Sequence, residues 1–258
     1  MRRLLITAAL AAGLAATAAE AATVLVTGSN RGLGYEFVRQ YAARGDTVIA
    51  TTRRPGEAAE LKALAAKNKN IIIEKLDVTD AGAVVELAAK YKGKPIDILI
   101  NNAGAMGSPA AQKMGALDYN LFRQVMDTNV FGVMAVTSAF QDNVMASEQK
   151  KVIAITSVAG SMTGPWERIG GIYFYRASKA ALNNVMRGMA LDLRKQGVIF
   201  GLVAPGAADT DMLRNEFGFK GKMVSAADSV AGMMKNIDGF TLENAKKPID
   251  YDGTVIDW

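Results

Sequence analysis

The chain has 258 residues, half of them hydrophobic, which predicts one globular domain with a large core. Its 30 Lys and Arg and 25 Asp and Glu give a formal charge of +5, without the long basic runs typical of nucleic-acid binding. The sequence has no histidine and no cysteine, which excludes Ser-His-Asp triads, thiol nucleophiles, disulfides and histidine-bound or thiolate-bound metals. We therefore expect no metal site and no nucleic-acid partner, and any enzyme chemistry must use other side chains or a cofactor.

The N-terminal segment differs in composition from the rest of the chain. A basic start at residues 1–3 precedes an apolar, uncharged run from Leu4 to about Ala16, and Ala19-Glu20-Ala21 fits the small-x-small cleavage pattern. Residues 1–21 are therefore predicted to be a signal peptide, which implies a periplasmic or secreted protein. The run is short for a transmembrane helix, so no membrane span is expected in the mature chain. An uncleaved membrane anchor or an extension on a cytoplasmic protein are the alternatives.

From residue 23 onward, short β-branched runs alternate with longer helical segments. Strands are predicted at Thr23–Thr27, Thr47–Thr52, Ile71–Leu76, Ile96–Asn101, Lys151–Thr156 and Ile199–Ala204. Helices are predicted at Leu33–Arg44, Glu57–Lys67, Ala81–Tyr91, Leu121–Met145 and Tyr175–Gln196. Nearly continuous apolar strands separated by helices indicate a mostly parallel sheet covered on both faces. Residues 22–258 thus predict a single doubly wound α/β domain.

A glycine-rich turn follows the first predicted strand and opens the first helix. Glycines there allow a tight turn and let backbone N–H groups approach a pyrophosphate at the helix N-terminus. The turn is predicted to bind a dinucleotide through Gly28, Ser29, Asn30, Arg31, Gly32, Leu33 and Gly34. An ordinary strand-to-helix turn is the alternative.

The end of the second strand indicates which dinucleotide is bound. An acidic residue at this position would select NAD, whereas this chain has Arg53 and Arg54 there, and Arg31 in the glycine loop. Guanidinium groups suit a 2′-phosphate, so the sequence favours NADP(H), with Arg53 as a predicted contact. One of the two adjacent arginines is expected to be an ordinary surface residue.

Tyr175 and Lys179 are four residues apart on a predicted helix, so their side chains share one face. A free tyrosine titrates near ~10, and an ammonium close by should lower that pKa by ~1–3 units. Such a tyrosine can give a proton to a carbonyl oxygen or take one from an alcohol. A chance pair on an amphipathic helix is the alternative.

Together with Asn101-Asn102-Ala103-Gly104 at the end of the fourth strand, these motifs resemble the short-chain dehydrogenase/reductase family over residues 23–258. The resemblance implies a Rossmann fold and hydride transfer between a nicotinamide and a carbonyl or alcohol. It implies catalytic roles for Asn129, Ser157, Tyr175 and Lys179. It also implies cofactor contacts from Asp77, Val78, Asn102, Ala103, Gly104, Tyr175, Lys179, Pro205, Gly206 and Thr210.

The interval from Ser157 to Tyr175 is longer than is usual in the family, and the extra stretch at residues 164–171 carries Trp166. This stretch and the C-terminal residues 251–258 resemble the carbonyl reductase/C-factor-like branch. The longer interval leaves open whether Ser157 or Ser161 contacts the substrate.

Three further expectations concern the substrate and partners. Ala207–Met223 is predicted to cover a small carbonyl or alcohol substrate, with a surface helix as the alternative. By resemblance, Leu121–Met145 and Tyr175–Gln196 pair between subunits, so a homodimer or homotetramer is expected. The alternative function, suggested by the C-factor resemblance and the export signal, is an NADP(H)-binding signalling or regulatory protein with little turnover.

Overall fold

The computed structural model describes residues 21–163 and 171–257. Almost all of the predicted signal peptide, most of the extra stretch that carries Trp166, and the terminal Trp258 lie outside the described residues. The described residues include no helix that is both long and apolar enough to span a membrane.

The core of the molecule is a seven-stranded sheet in which every neighbouring pair of strands is parallel. The strands are β1 (Thr23–Val26), β2 (Thr47–Thr52), β3 (Ile71–Lys75), β4 (Ile98–Asn101), β5 (Lys151–Ile155), β6 (Ile199–Ala204) and β7 (Ile249–Asp250). Their order across the sheet is β3-β2-β1-β4-β5-β6-β7, and this reversal on either side of β1 confirms the doubly wound fold.

Helices cover both faces of this sheet. They are α1 (Gly32–Arg44), α2 (Ala59–Lys67), α3 (Ala81–Lys90), α4 (Tyr119–Met126), α5 (Gly132–Ala139), α6 (Gln141–Met145), α7 (Tyr173–Asp192) and α8 (Ala226–Asp238). Val24 and Val26 of β1 pack with α1, α2 and α8, whereas Leu25 packs on the other face with α3, α5 and α7. Burial on both faces explains why the strands read as continuous apolar runs.

The helix predicted over Leu121–Met145 is present, but it is not one regular α-helix. The structure divides this stretch into α4, a π-helical turn at Asp127–Phe131, α5 and α6. The apolar periodicity continues through these breaks, so the sequence pattern does not reveal them. Insertions of this kind are frequent at functional sites, and Asn129 lies in this turn.

Two elements near the C-terminus were not predicted. Helix α8 begins after Ser225, whose Oγ accepts a hydrogen bond from the Asp228 N–H at 3.0 Å. Strand β7 has only two residues, too few to show an alternating pattern, and it pairs with the end of β6. The other predicted elements are present, with ends that shift by a few residues.

Candidate active site

A cavity of about 540 Å³ lies at the carboxyl ends of the parallel strands, where open α/β sheets bind ligands. Most of the residues predicted from the sequence line it: Gly28, Asn30, Arg31, Gly32, Leu33, Gly34, Arg53, Asp77, Val78, Asn102, Ala103, Gly104, Ser157, Tyr175, Lys179, Pro205, Gly206 and Thr210. The fold therefore brings the predicted cofactor and catalytic residues to one site.

The glycine loop between β1 and α1 is tightly packed against the loop after β4. A Cβ on Gly34 would lie 2.1 Å from the Gly28 carbonyl oxygen, and Gly28 itself has a φ of +70°. The Asn102 side chain donates to the carbonyls of Thr27 at 2.9 Å and Gly28 at 3.1 Å. These contacts hold the loop open toward the cavity at the N-terminus of α1, as a pyrophosphate site requires.

Ser29 was predicted to contact the cofactor, but the structure places it away from the cavity. It is fully buried beneath the loop, and its Oγ donates to the Val26 carbonyl at 2.9 Å. Its N–H binds the Thr51 carbonyl at 2.8 Å, which ties the loop to β2. Ser29 therefore stabilises the loop from below and does not line the cavity.

The three arginines considered for a 2′-phosphate have different surroundings. Arg53 lines the cavity, whereas Arg54 is exposed and pairs with Glu57 at 3.1 Å. Arg31 also lines the cavity, and its guanidinium lies 3.6 Å from Asp211 and 3.3 Å from Glu216 of the covering segment. The structure thus distinguishes Arg53, at the cavity, from Arg54, at the surface.

Tyr175 and Lys179 lie on the first turns of α7, beside the end of β5. Lys179 is buried, and its Nζ donates to the Ile155 carbonyl at 2.8 Å. Burial lowers the pKa of Lys179 to about 8. The Tyr175 side chain is hydrogen-bonded to Ser157, which follows β5.

The predicted lowering of the Tyr175 pKa by Lys179 is wrong for this structure. Burial raises the pKa of Tyr175, and the hydrogen bond with Ser157 opposes that shift. The Lys179 Nζ lies over the Tyr175 ring, 5.6 Å from its centre. The ammonium therefore faces the ring rather than pairing directly with the phenol oxygen.

Asn129 does not line the cavity; it is buried behind the cavity wall. Its Oδ1 accepts from the Ala105 N–H at 2.8 Å, and its Nδ2 donates to the Ala105 carbonyl at 2.8 Å and to Ser178 Oγ at 2.9 Å. Both donor hydrogens of the amide have protein partners. The side chain thus joins the loop after β4 to helix α7.

The structure separates the two candidate serines. Ser157 lines the cavity, and its Oγ accepts from the Ala159 N–H at 3.1 Å. Ser161 is buried, and its Oγ contacts the carbonyls of Thr163 and Asp257. Of the two hydroxyls, that of Ser157 is the one beside Tyr175.

The rest of the cavity wall is largely apolar. Met106, Ile172, Met212, Leu213, Phe217 and Phe219 line it, and the last four belong to the predicted covering segment. Sequence reasoning missed Met106 and Ile172, which lie outside regular helices and strands, and Asp250, which lies in the two-residue strand β7; none of the three has a periodic signal that would place it at the cavity.

Known proteins resemble this chain in sequence and in fold. The family model described as short chain dehydrogenase matches residues 22–220. The 1-hydroxy-2-glutathionyl-2-methyl-3-butene dehydrogenase of Rhodococcus sp. (strain AD45) is 34% identical over 239 residues, covering 92% of this chain and 99% of the relative. The C-signal protein of Myxococcus xanthus is 38% identical over 164 residues, covering 64% of this chain and 93% of the relative.

A solved structure of similar architecture is the NADPH-bound carbonyl reductase from chicken fatty liver, with a TM-score of 0.83 and 31% identity over 92% of this chain and 99% of that one. The carbonyl reductase Sniffer of D. melanogaster has a TM-score of 0.82 and 26% identity, covering 92% and 100% of the two chains. With its parallel sheet, glycine loop and Ser-Tyr-Lys cluster, this chain belongs to the short-chain dehydrogenases, a family of Rossmann-fold oxidoreductases.

Proposed function

We propose that this protein interconverts a carbonyl compound and an alcohol, with NADP(H) as its cofactor. The observation that carries the proposal is the cluster of Tyr175, Ser157 and Lys179 in the same cavity as the glycine loop. The carbonyl reductases among the structural neighbours support this reaction class. The apolar covering segment favours a small apolar aldehyde or ketone over a large polar substrate.

The residues of the cavity fit NADP(H). A Cβ at Gly34 would collide with the Gly28 carbonyl, so glycine at this position lets the loop pack closely at the helix N-terminus where a pyrophosphate would bind, and Arg53 at the end of β2 suits a 2′-phosphate. Asp77 and Val78 would border the adenine, and Pro205, Gly206 and Thr210 the nicotinamide. When bound, the nicotinamide supplies or accepts the hydride.

The protein's own residues handle the proton. Tyr175 donates a proton to the carbonyl oxygen during reduction and accepts one from the alcohol during oxidation. Ser157 holds the substrate oxygen beside that phenol. Lys179, whose Nζ donates to the Ile155 carbonyl and lies over the Tyr175 ring, places a buried ammonium beside the acid, where it would hold the cofactor ribose. Asn129 acts indirectly, because its amide joins α7 to the loop after β4.

A substrate panel with a pair of tyrosine variants tests this function. The wild type should oxidise NADPH in the presence of aldehydes or ketones, and should prefer NADPH to NADH. Tyr175→Phe should abolish turnover while NADPH still binds. Tyr173→Phe, on the exposed side of the same turn, is the matched control and should remain active. Substantial activity in Tyr175→Phe would contradict the assigned acid.

A second candidate is an NADP(H)-binding regulatory protein with little turnover. The 38% identity to C-signal favours this alternative. It predicts tight NADPH binding with no turnover on any carbonyl of the panel.

We also propose a homodimer or homotetramer formed through α4, the π-helical turn at Asp127–Phe131, α5 and α7. Phe131, Met134 and Leu191 on these elements are exposed apolar residues, which supports the pairing.

Export is a separate proposal based on residues 1–21, and N-terminal sequencing of the native protein tests it. A native chain that begins at Met1 would contradict cleavage.

A further inference from the structure

Gln112 is a fully buried carboxamide that joins the loop after β4 to the start of helix α7. Its Oε1 accepts from the N–H groups of Phe174 at 3.0 Å and Tyr175 at 3.2 Å. Its Nε2 donates to the carbonyls of Met106 at 2.8 Å and Ser108 at 3.3 Å. A side chain more than sixty positions earlier in the sequence thus binds the backbone of the proposed catalytic tyrosine.

The orientation of this carboxamide is determined by its surroundings. Two N–H donors face one end of the group and two carbonyl oxygens face the other. Rotating the amide by 180° would place Oε1 against two carbonyls and Nε2 against two N–H groups, which would break every bond. Gln112 therefore holds a single orientation.

Helix α7 needs this partner because its own N-terminus lacks a side-chain cap. The residue before the helix is Ile172, which has no polar side chain and adopts a left-handed conformation with a φ of +47°. The first N–H groups of any helix have no partner within it, and leaving them buried and unpaired costs stability. The Oε1 of Gln112 pairs with two of them, those of Phe174 and Tyr175.

The carbonyl of Tyr175 is also held. Ser178 Oγ donates to this carbonyl at 2.8 Å, and the Asn129 amide donates to the same Oγ at 2.9 Å. Two buried amides, Gln112 and Asn129, therefore fix the backbone of Tyr175 from its N–H side and its carbonyl side. Both belong to the chain segment between β4 and β5.

We propose that Gln112 is a positioning residue, which caps α7 from outside the helix and so fixes the Tyr175 phenol beside Ser157. The inference rests on the proposed function, because positioning matters only if Tyr175 transfers the proton. Gln112 does not line the cavity, so removing its bonds should lower kcat without weakening cofactor binding.

Three variants test the inference. Gln112→Met keeps the side-chain length but removes every hydrogen bond. Gln112→Glu keeps an acceptor for the two N–H groups and, when burial keeps its carboxyl group protonated, an O–H that can donate to one of the two carbonyls in place of Nε2. Ser225→Ala removes the cap of α8, outside the cavity lining, and is the matched control for lost helix capping.

Gln112→Met should lower kcat by about ten- to a hundredfold, the scale expected from a small displacement of the acid. Its Kd for NADPH should stay within about threefold of the wild type. Amide exchange at Phe174 and Tyr175 should become about tenfold faster. Gln112→Glu should restore slow exchange and most of kcat, and Ser225→Ala should leave both unchanged.

Several results would overturn the inference. One is a folded Gln112→Met protein with wild-type exchange at Phe174 and Tyr175; another is an equal loss of kcat in Ser225→Ala. If Gln112→Met does not fold, fast exchange in Gln112→Glu would reject the cap. Amide exchange can be measured in a protein that has no turnover. A wild type inactive on every carbonyl would therefore contradict the proposed function, while the exchange rates would still test whether Gln112 caps α7.

Discussion

At the scale of single residues, the buried ammonium of Lys179 links the cavity to the stability of the fold. Burial lowers its pKa to about 8, whereas a lysine in an unfolded chain titrates near ~10.4. Between these values the unfolded chain binds the proton more tightly than the folded chain. The contribution of Lys179 to the free energy of unfolding therefore rises as the pH rises through this window.

We predict that Lys179→Met removes this contribution. The wild-type free energy of unfolding, relative to that of the variant, should rise by ~3 kcal/mol between about pH 8 and 10.5. Urea denaturation of the cofactor-free proteins at a series of pH values measures it. Lys195→Met, which removes an exposed lysine after α7, should retain the wild-type dependence. If the free energies of unfolding of the wild type and Lys179→Met change with pH in parallel, the pKa of Lys179 is not lowered by burial.

Gly34 offers a second prediction at this scale. Its substitution by alanine would place a Cβ 2.1 Å from a backbone oxygen and 2.5 Å from the Asn102 amide, so the loop must move. We expect Gly34→Ala to destabilise the protein by ~1–3 kcal/mol and to weaken NADPH binding strongly. Thermal unfolding and NADPH fluorescence titration measure these effects. Gly56→Ala, where a Cβ meets open space, is the control. Tight NADPH binding by Gly34→Ala would contradict the proposed pyrophosphate site at the glycine loop.

At the scale of elements, the sequence predicts those helices and strands whose pattern of apolar residues lies within one continuous segment. Strands β1 to β6 can be predicted because both of their faces are buried, which requires apolar residues at successive positions. The turn around Asn129 is hidden because the apolar pattern continues across it. The partnership of Gln112 with α7 depends on a contact between distant segments, which no local pattern encodes. Motifs predicted the glycine loop and the Ser-Tyr-Lys cluster of the cavity, whereas the contacts that position these residues were not predicted.

The covering segment gives a prediction at this scale. Phe217 and Phe219 line the cavity, so their rings should bind the apolar part of a substrate. Phe217→Ala should raise KM for an aromatic ketone about tenfold and change KM for NADPH little, because the loss is in substrate contact area. Steady-state kinetics with both substrates varied measures it. Lys220→Ala, an exposed neighbour, should behave as the wild type. A larger effect on NADPH would place this segment over the cofactor instead.

At the scale of the whole molecule, the proposed assembly predicts a measurable mass. The exposed Phe131, Met134 and Leu191 should lie between subunits. We expect the wild type to sediment as a dimer or tetramer, and Phe131→Asp to dissociate because a buried, unpaired carboxylate opposes association. Val85→Asp, an exposed apolar position on α3, is the control and should leave the mass unchanged. A wild type that sediments as a monomer at micromolar concentration would refute the interface.

The direction of β1 has a practical consequence for the predicted leader. The strand enters the sheet at Thr23, and its other end leads into the glycine loop, so the chain joins the domain at the sheet edge opposite the cavity. Ala22 is already anchored, because its N–H binds Asp46 at 3.0 Å. A recombinant protein that starts at residue 21 or 22 should thus keep the whole catalytic apparatus. A tag or surface tether attached there would leave the mouth of the cavity accessible to substrate.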